Sequence, residues 1–159
     1  MSAPFYSTAA RVDALYEELR SWRGTPFSEN CAVKGSCGGV SCERLQHAVH
    51  TATGACPPME LPVVPVEQVR HWHEHNTGSL VLDFLARPEL NGRVRRLEPD
   101  AALMQGDILL MVVGHTAHHL GVFSWPWVYH VEIPAGVVYF SATNIHRRAV
   151  VRSIYRIFE

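Results

Sequence analysis

The sequence predicts an α+β domain in which amino-terminal helices pack on a carboxy-terminal antiparallel β-sheet. Residues 8–22 place apolar side chains three and four positions apart, which is the spacing of an amphipathic helix. After Pro99 the chain changes to short segments rich in Val, Ile, Tyr and Phe. Helices followed by consecutive strands are typical of the α+β class, and 159 residues suit one domain spanning 1–159.

Three helical regions are predicted before Pro99. The first ends at residues 24–26, where the sequence Gly-Thr-Pro cannot continue a helix. Residues 28–41 are rich in Gly and Ser and predict a loop. A second helix begins at Cys42, with Ser41 as its N-cap, Glu43 in its first turn and Gly54 at its end. Residues 66–86 predict a third helical region, in two pieces that separate near residues 76–78.

Five strands are predicted after Pro99. The first is the apolar run Ile-Leu-Leu-Met-Val-Val, which follows Gly106 and Asp107. The other four cover residues 119–123, 128–133, 136–141 and 149–158.

Composition excludes several classes of function. A net charge of -1 argues against a broad electrostatic surface for nucleic acid or an anionic membrane, so neither is an expected partner. No apolar run reaches the roughly 20 residues that a membrane span requires. The amino terminus has no basic segment followed by an apolar one, so we expect no signal peptide and synthesis in the cytoplasm. The four cysteines are then expected to be reduced thiols.

Cys42 has the sequence context of a nucleophile. A thiol must ionise to attack an amide, and its pKa falls at a helix N-terminus and beside an imidazolium. Free backbone N–H groups in the same turn could hold an oxyanion. The glycine-rich loop before Cys42 would let a substrate backbone approach closely. A buried structural cysteine at the start of a helix would have the same pattern.

Four segments together resemble the NlpC-type cysteine peptidases of cell walls. These are RGTPF at residues 23–27, GGVSCERL at 38–45, GDILL at 106–110 and HLGVF at 119–123, in the order that the family has them. The resemblance implies a papain-like fold with Cys42 as nucleophile and His119 as base. It also implies a third polar residue on the next strand, where His130 follows His119 by 11 positions. Strand alternation puts Glu132 on the face of His130, so Glu132 is the competing candidate.

The resemblance and the loop composition also indicate substrate-binding residues. Phe27 stands where many family members have Tyr, and Ser41 where most have Asp, so peptide specificity and the oxyanion donor stay open. Gly39 belongs to the glycine loop before the nucleophile. Trp125, between the strands of His119 and His130, could stack on a sugar or stem peptide or could close the hairpin.

Other histidines and cysteines have simpler interpretations. His118 is the fallback base, and His115 is expected to be solvated. The sequence His-Trp-His-Glu-His at residues 71–75 has two histidines at i and i+4, but a polar helix face explains it better than a metal site. The cysteines at 31, 37, 42 and 56 lack C-x-x-C spacing, so neither a metal nor another cofactor is predicted.

Three functions therefore remain in view. The resemblance implies a cysteine peptidase that cuts amide bonds in peptidoglycan stem peptides through a thioester intermediate. The same Cys–His pair would also serve an amidase, deamidase or acyltransferase. The segment around residues 31–35 is most similar to the phage-tail and gene-transfer-agent branch, which implies tail proteins as partners and a place in the virion. A non-enzymatic tail component is the third function.

Overall fold

The computed structural model of the chain describes residues 2–65, 80–113, 116–144 and 150–159, without the side chains of residues 80, 113 and 116–118. Several predictions lie outside these residues: the first helical piece of region 66–86, the histidines at 71–75 and His115. The side chain of His118 lies outside them as well.

The helices lie near the predicted positions. Helix α1 spans Ala9–Ser21, with Thr8 as N-cap accepting the Arg11 backbone N–H, and it buries Leu15 and Leu19. Helix α2 spans Cys42–Ala52 and therefore begins at the predicted residue. Helix α3, Leu80–Leu85, is the second piece of the predicted third region, and a single 3₁₀ turn follows at Pro88–Leu90.

The glycine-rich loop contains a small ribbon that the sequence did not predict. Strands β1, Ala32–Val33, and β2, Gly39–Val40, pair antiparallel. Two-residue strands carry no alternation of polar and apolar side chains, so only tertiary pairing reveals them.

A six-stranded antiparallel sheet follows. Its strands are β3 Val94–Leu97, β4 Ile108–Val113, β5 Thr116–Ser124, β6 Trp127–Glu132, β7 Gly136–Ser141 and β8 Val151–Ile157. Their order in the sheet is β3-β8-β4-β5-β6-β7. The five predicted strands are confirmed, and β3 is an addition. Strand β3 is an edge strand that pairs with β8 and exposes Arg95 and Arg96.

The two faces of the sheet have different neighbours. One face packs on α1 and α2 and holds the main core, which includes Leu45, Val49, Leu120 and Val122. The opposite face carries a smaller apolar cluster around Leu109, Met111, Phe123, Val128 and Ile154. Adjacent strand residues point to opposite faces, so this division determines from which side each candidate residue can act.

Candidate active site

Cys42 is the first residue of α2 and touches the sheet. Ser41 is extended (φ -97°, ψ 169°), and its carbonyl accepts the first helical hydrogen bond from Leu45 N at 2.9 Å. The half-buried Cys42 side chain packs on the main core, and its sulfur accepts a hydrogen bond from the Leu120 backbone. The start of α2 therefore lies against the residue that follows His119.

Glu43 lies beside the thiol. Cys42 Sγ donates to Glu43 Oε2 at 3.5 Å, and Ser41 Oγ donates to Glu43 Oε1 at 2.6 Å. Ser41 thus has the backbone of an N-cap, but its hydroxyl binds a carboxylate and caps no backbone N–H. The predicted N-cap position of Ser41 is confirmed, and its hydroxyl binds the neighbouring carboxylate because a charged oxygen is a strong hydrogen-bond acceptor.

The segment before Cys42 lies against the segment that contains Phe27. Val40 N donates to Pro26 O at 3.0 Å, Ser28 N donates to Val40 O at 3.2 Å, and Phe27 forms a parallel bridge with Val40. A Cβ at Gly39 would lie 2.3 Å from Ser28 Cβ, so this close approach requires glycine. Packing alone therefore accounts for Gly39, and half-buried Phe27 contacts the main core.

His119 and His130 form a direct pair. His119 Nε2 and His130 Nδ1 are 2.8 Å apart, with ring planes at 89°. In the ladder between β5 and β6, His130 pairs with Gly121, and the two strands are paired from there toward the hairpin turn. A Cβ at Gly121 would lie 2.7 Å from Val128 Cγ1 and 3.0 Å from Met111 Cε, so glycine provides space on the face of the two histidines.

Glu132 extends this pair. His130 Nε2 lies 3.6 Å from Glu132 Oε1, and the His130 side chain is almost fully buried. The sequence left His130 and Glu132 as alternatives for the third position. The structure arranges them in series, because His130 contacts His119 with one ring nitrogen and approaches Glu132 with the other.

The surroundings of Cys42 and His119 favour the neutral form of each side chain. Burial and then the charge of Glu43 raise the pKa of the Cys42 thiol well above its ordinary value, and the Leu120 hydrogen bond lowers it only in part. Burial and then His130 lower the pKa of His119 to about 4, against a raising effect of Glu132. A thiol and a neutral imidazole are therefore the resting forms at pH 7, whereas the sequence predicted a thiolate stabilised by the helix end and an imidazolium.

Trp125 is not brought together with these residues. It is 60% exposed at the turn between β5 and β6, where its ring packs edge-on against Phe123. It follows His119 by six positions along an extended strand, which is a distance of roughly 20 Å at about 3.3 Å per residue. The position fits closure of the hairpin, and the role of Trp125 as a substrate contact stays a prediction.

Two acidic residues at the site were missed or misread in the sequence. The sequence predicts Glu43 in the first turn of α2 but not that its charge raises the pKa of the neighbouring thiol. Glu29, in the loop before β1, has a pKa raised to about 7, chiefly by burial and then by Glu43. A carboxylate at i+1 to a nucleophile is a sequence signal for Glu43, but no sequence pattern indicates Glu29.

The described residues offer no alternative site of metal or disulfide chemistry. All four cysteines are free, with Cys37 exposed and Cys56 buried. No group of three or more potential ligands is positioned for a metal ion within residues 2–65, 80–113, 116–144 and 150–159. In the same part of the chain, none of the helices has the length and apolar character needed to cross a membrane.

Comparison with known proteins supports the fold. No protein-family model matches the sequence, and no curated protein is significantly similar to it. Among solved structures, the chain is similar to a Staphylococcus aureus protein described as similar to a lipoprotein of the NLP/P60 family, with a TM-score of 0.59 and 15% identity. The alignment covers 100% of this chain and 45% of that one, so the chain spans less than half the length of that protein. The α+β fold of the NlpC/P60 type is therefore confirmed.

Proposed function

We propose that the protein is a cysteine peptidase that hydrolyses amide bonds in peptidoglycan stem peptides. Cys42 Sγ attacks the amide carbonyl carbon, and its proton passes to His119 and then to the leaving amine. The acyl group stays on sulfur as a thioester until water, deprotonated by His119, releases the acid. The observations that carry the proposal are the position of Cys42 at the start of α2 against Leu120, which follows His119 in β5, and the 2.8 Å pair that His119 forms with His130.

The contacts of His119 indicate which of its ring nitrogens would take the proton. A neutral His119 can accept a proton, and His130 engages its Nε2, so Nδ1 is the nitrogen that would take the thiol proton. His130, backed by Glu132, would stabilise the imidazolium once it forms. His130 therefore has an orienting role, and Glu132 supports it electrostatically.

The strand faces define one requirement for this mechanism. Leu120 belongs to the core under α2, and His119 must point to the opposite face. His119 precedes Gly121, where the pairing of β5 with β6 begins. Its imidazole would therefore have to reach the thiol through this unpaired part of β5. His118 remains the competing base because it precedes His119 and alternates with it.

The substrate class and the setting come from similarity. The segments around Cys42 and His119 resemble wall peptidases, and the fold agrees with the NLP/P60 lipoprotein. The proposal includes a phage-tail or virion setting, with tail proteins as partners, on the sequence resemblance around residues 31–35 alone.

The test is digestion of purified peptidoglycan fragments followed by mass analysis. The wild type should release fragments cut at one peptide bond, Cys42→Ala should release none, and Cys37→Ala, which changes an exposed thiol, should match the wild type. His119→Ala should be inactive, whereas His118→Ala should retain activity. The opposite result for the two histidines would move the base to His118, and products with a changed side-chain amide would indicate a deamidase.

One observation favours a second candidate, a non-enzymatic tail component. The burial and the Glu43 carboxylate that raise the Cys42 pKa make this thiol a poor nucleophile at neutral pH. A folded wild-type protein that leaves every wall fragment intact between pH 6 and 9 would support this function and refute the peptidase.

A further inference from the structure

Three buried polar atoms on α2 have no hydrogen-bond partner within the described part of the chain. They are the two amide atoms of Gln46, Nε2 and Oε1, and the ring nitrogen Nε2 of His50. Both side chains are 0% exposed. A buried polar group without a partner is destabilising, and the great majority of such groups in native proteins are hydrogen-bonded. Three unpaired atoms on two neighbouring side chains therefore require a shared explanation.

Gln46 and His50 lie on the same side of α2. They are four residues apart, so one helical turn separates them and their Cβ atoms lie about 5–6 Å from each other. Cys42 precedes Gln46 by four residues and lies at the start of the same line of side chains. Gln46 and His50 form no direct hydrogen bond to each other, since the three atoms that could join them are unpartnered. Two neighbouring polar groups that do not touch are a suitable position for a bridging water.

The other nitrogen of the His50 ring is held by a chain of hydrogen bonds. His50 Nδ1 lies 2.8 Å from the Tyr6 hydroxyl oxygen, which lies 2.6 Å from Thr53 Oγ1. The Thr53 hydroxyl donates to Val49 O at 2.9 Å, which is the bond from residue i to residue i−4 that threonine makes in helices. A carbonyl oxygen can only accept, so the single hydroxyl hydrogen of Thr53 lies on this bond.

The direction of this chain determines the tautomer of His50. The Thr53 oxygen accepts from the Tyr6 hydroxyl, because its own hydrogen is donated to Val49. The Tyr6 oxygen then accepts from His50, so the ring proton is on Nδ1. Burial lowers the pKa of His50 to about 3, so the ring is neutral at pH 7 and its Nε2 carries a lone pair. The atom that His50 presents without a partner is therefore an acceptor, and it requires a donor.

We propose that an internal water molecule bridges Gln46 and His50, donating one hydrogen to His50 Nε2 and bonding to the Gln46 amide. The amide has both a donor and an acceptor, so it can bond the water in either orientation. Buried waters in globular proteins occupy such positions, between polar groups that have no other partner. This site extends the hydrogen-bonded chain of Thr53, Tyr6 and His50 along the buried side of α2 toward the turn of Cys42. The inference goes beyond the proposed peptidase function and does not depend on it.

The first experiment measures the tautomer of His50 by long-range proton–nitrogen NMR of the imidazole rings at pH 7. We expect a protonated Nδ1 and an unprotonated Nε2 in the wild type. His47 supplies the internal reference, because its Nε2 accepts the Met59 backbone N–H at 3.0 Å and is therefore also unprotonated. A His50 ring protonated on Nε2 would overturn the inference, because that nitrogen would then present no lone pair to a donor.

The second experiment detects the water itself in the wild-type protein. The side-chain N–H₂ group of Gln46 should show a nuclear Overhauser effect to water, because the bound molecule lies within hydrogen-bond distance of the amide. No such effect at this fully buried amide would overturn the inference and would favour a direct bond from Gln46 Nε2 to His50.

Urea unfolding of Gln46→Met, His50→Phe and the double variant tests whether the two side chains share one ligand. Met has nearly the volume of Gln without its amide, and circular dichroism verifies that each variant is folded. Each single variant should lower the unfolding midpoint, because it leaves the other side chain unpaired, and the double variant should lower it by less than the sum. A raised midpoint in Gln46→Met would mean that the amide has no partner in the wild type. That result, or additive effects of the two substitutions, would overturn the inference.

Discussion

Asp107 anchors the start of β4, and its replacement by Asn should be strongly destabilising. The Asp107 side chain is fully buried, and its two oxygens accept Arg156 Nε and Nη2, both at 2.8 Å. It also accepts the Met104 backbone N–H at 2.7 Å. Removing one partner of a buried ion pair costs about 3–5 kcal/mol, because the other charge stays buried without compensation.

The expected loss for Asp107→Asn is about 3 kcal/mol, at the lower end of this range. Asn keeps one acceptor oxygen, and Arg156 keeps its hydrogen bond to Ala102 O at 2.7 Å. Urea unfolding followed by circular dichroism at pH 7 measures the change, with an unchanged m value as the sign of a pure stability effect. Glu17→Gln, which removes an exposed pair with Arg20 at 3.5 Å, is the matched control and should cost less than about 0.5 kcal/mol.

A loss below about 1 kcal/mol in Asp107→Asn would refute the reasoning. It would mean that Arg156 regains hydration or a new partner in the variant. Asp107 belongs to the segment 106–110, one of the four that resemble wall peptidases. Its role here is structural, because its ion pair with Arg156 connects the start of β4 to β8.

Three further predictions concern the site and its pH dependence. His130→Ala should lower turnover on wall fragments more than Glu132→Ala, because only His130 contacts His119; equal losses in kcat would contradict the serial arrangement. Gly121→Ala should destabilise the protein by about 1–3 kcal/mol in urea unfolding, since its Cβ would lie 2.7 Å from Val128 Cγ1. An unchanged unfolding midpoint would contradict this prediction, because it would mean that β5 and β6 accommodate the methyl group without cost. Burial lowers the pKa of His50 to about 3 from its ordinary 6.5. The unfolded chain therefore binds the extra proton below pH 6.5, and the contribution of a neutral His50 to stability is lost as the pH falls. The stability advantage of the wild type over His50→Gln should shrink by about 3 kcal/mol between pH 7 and 4, at ~1.4 kcal/mol per pH unit, and a constant difference would disprove this linkage.

Local sequence patterns determined most of the helices and strands. The bounds of β4 and β7, and the first residue of α2, agree with the prediction. Apolar periodicity and helix-breaking residues encode these features within a few positions of the chain. Strand β3 was missed because its exposed arginines have the composition of a solvated surface, and it becomes a strand only by pairing with β8.

The sequence by itself determined that a cysteine at a helix start is followed by two histidines at strand spacing, and it indicated the fold in which such residues act. Only the tertiary structure decided which groups meet. It joined His119 to His130, arranged Glu132 behind them, and separated Trp125 from the site. It also placed Glu43 against the thiol. The physical reason is that side-chain pairing and pKa depend on strand register, burial and neighbouring charge, which are set by contacts between residues far apart in the chain.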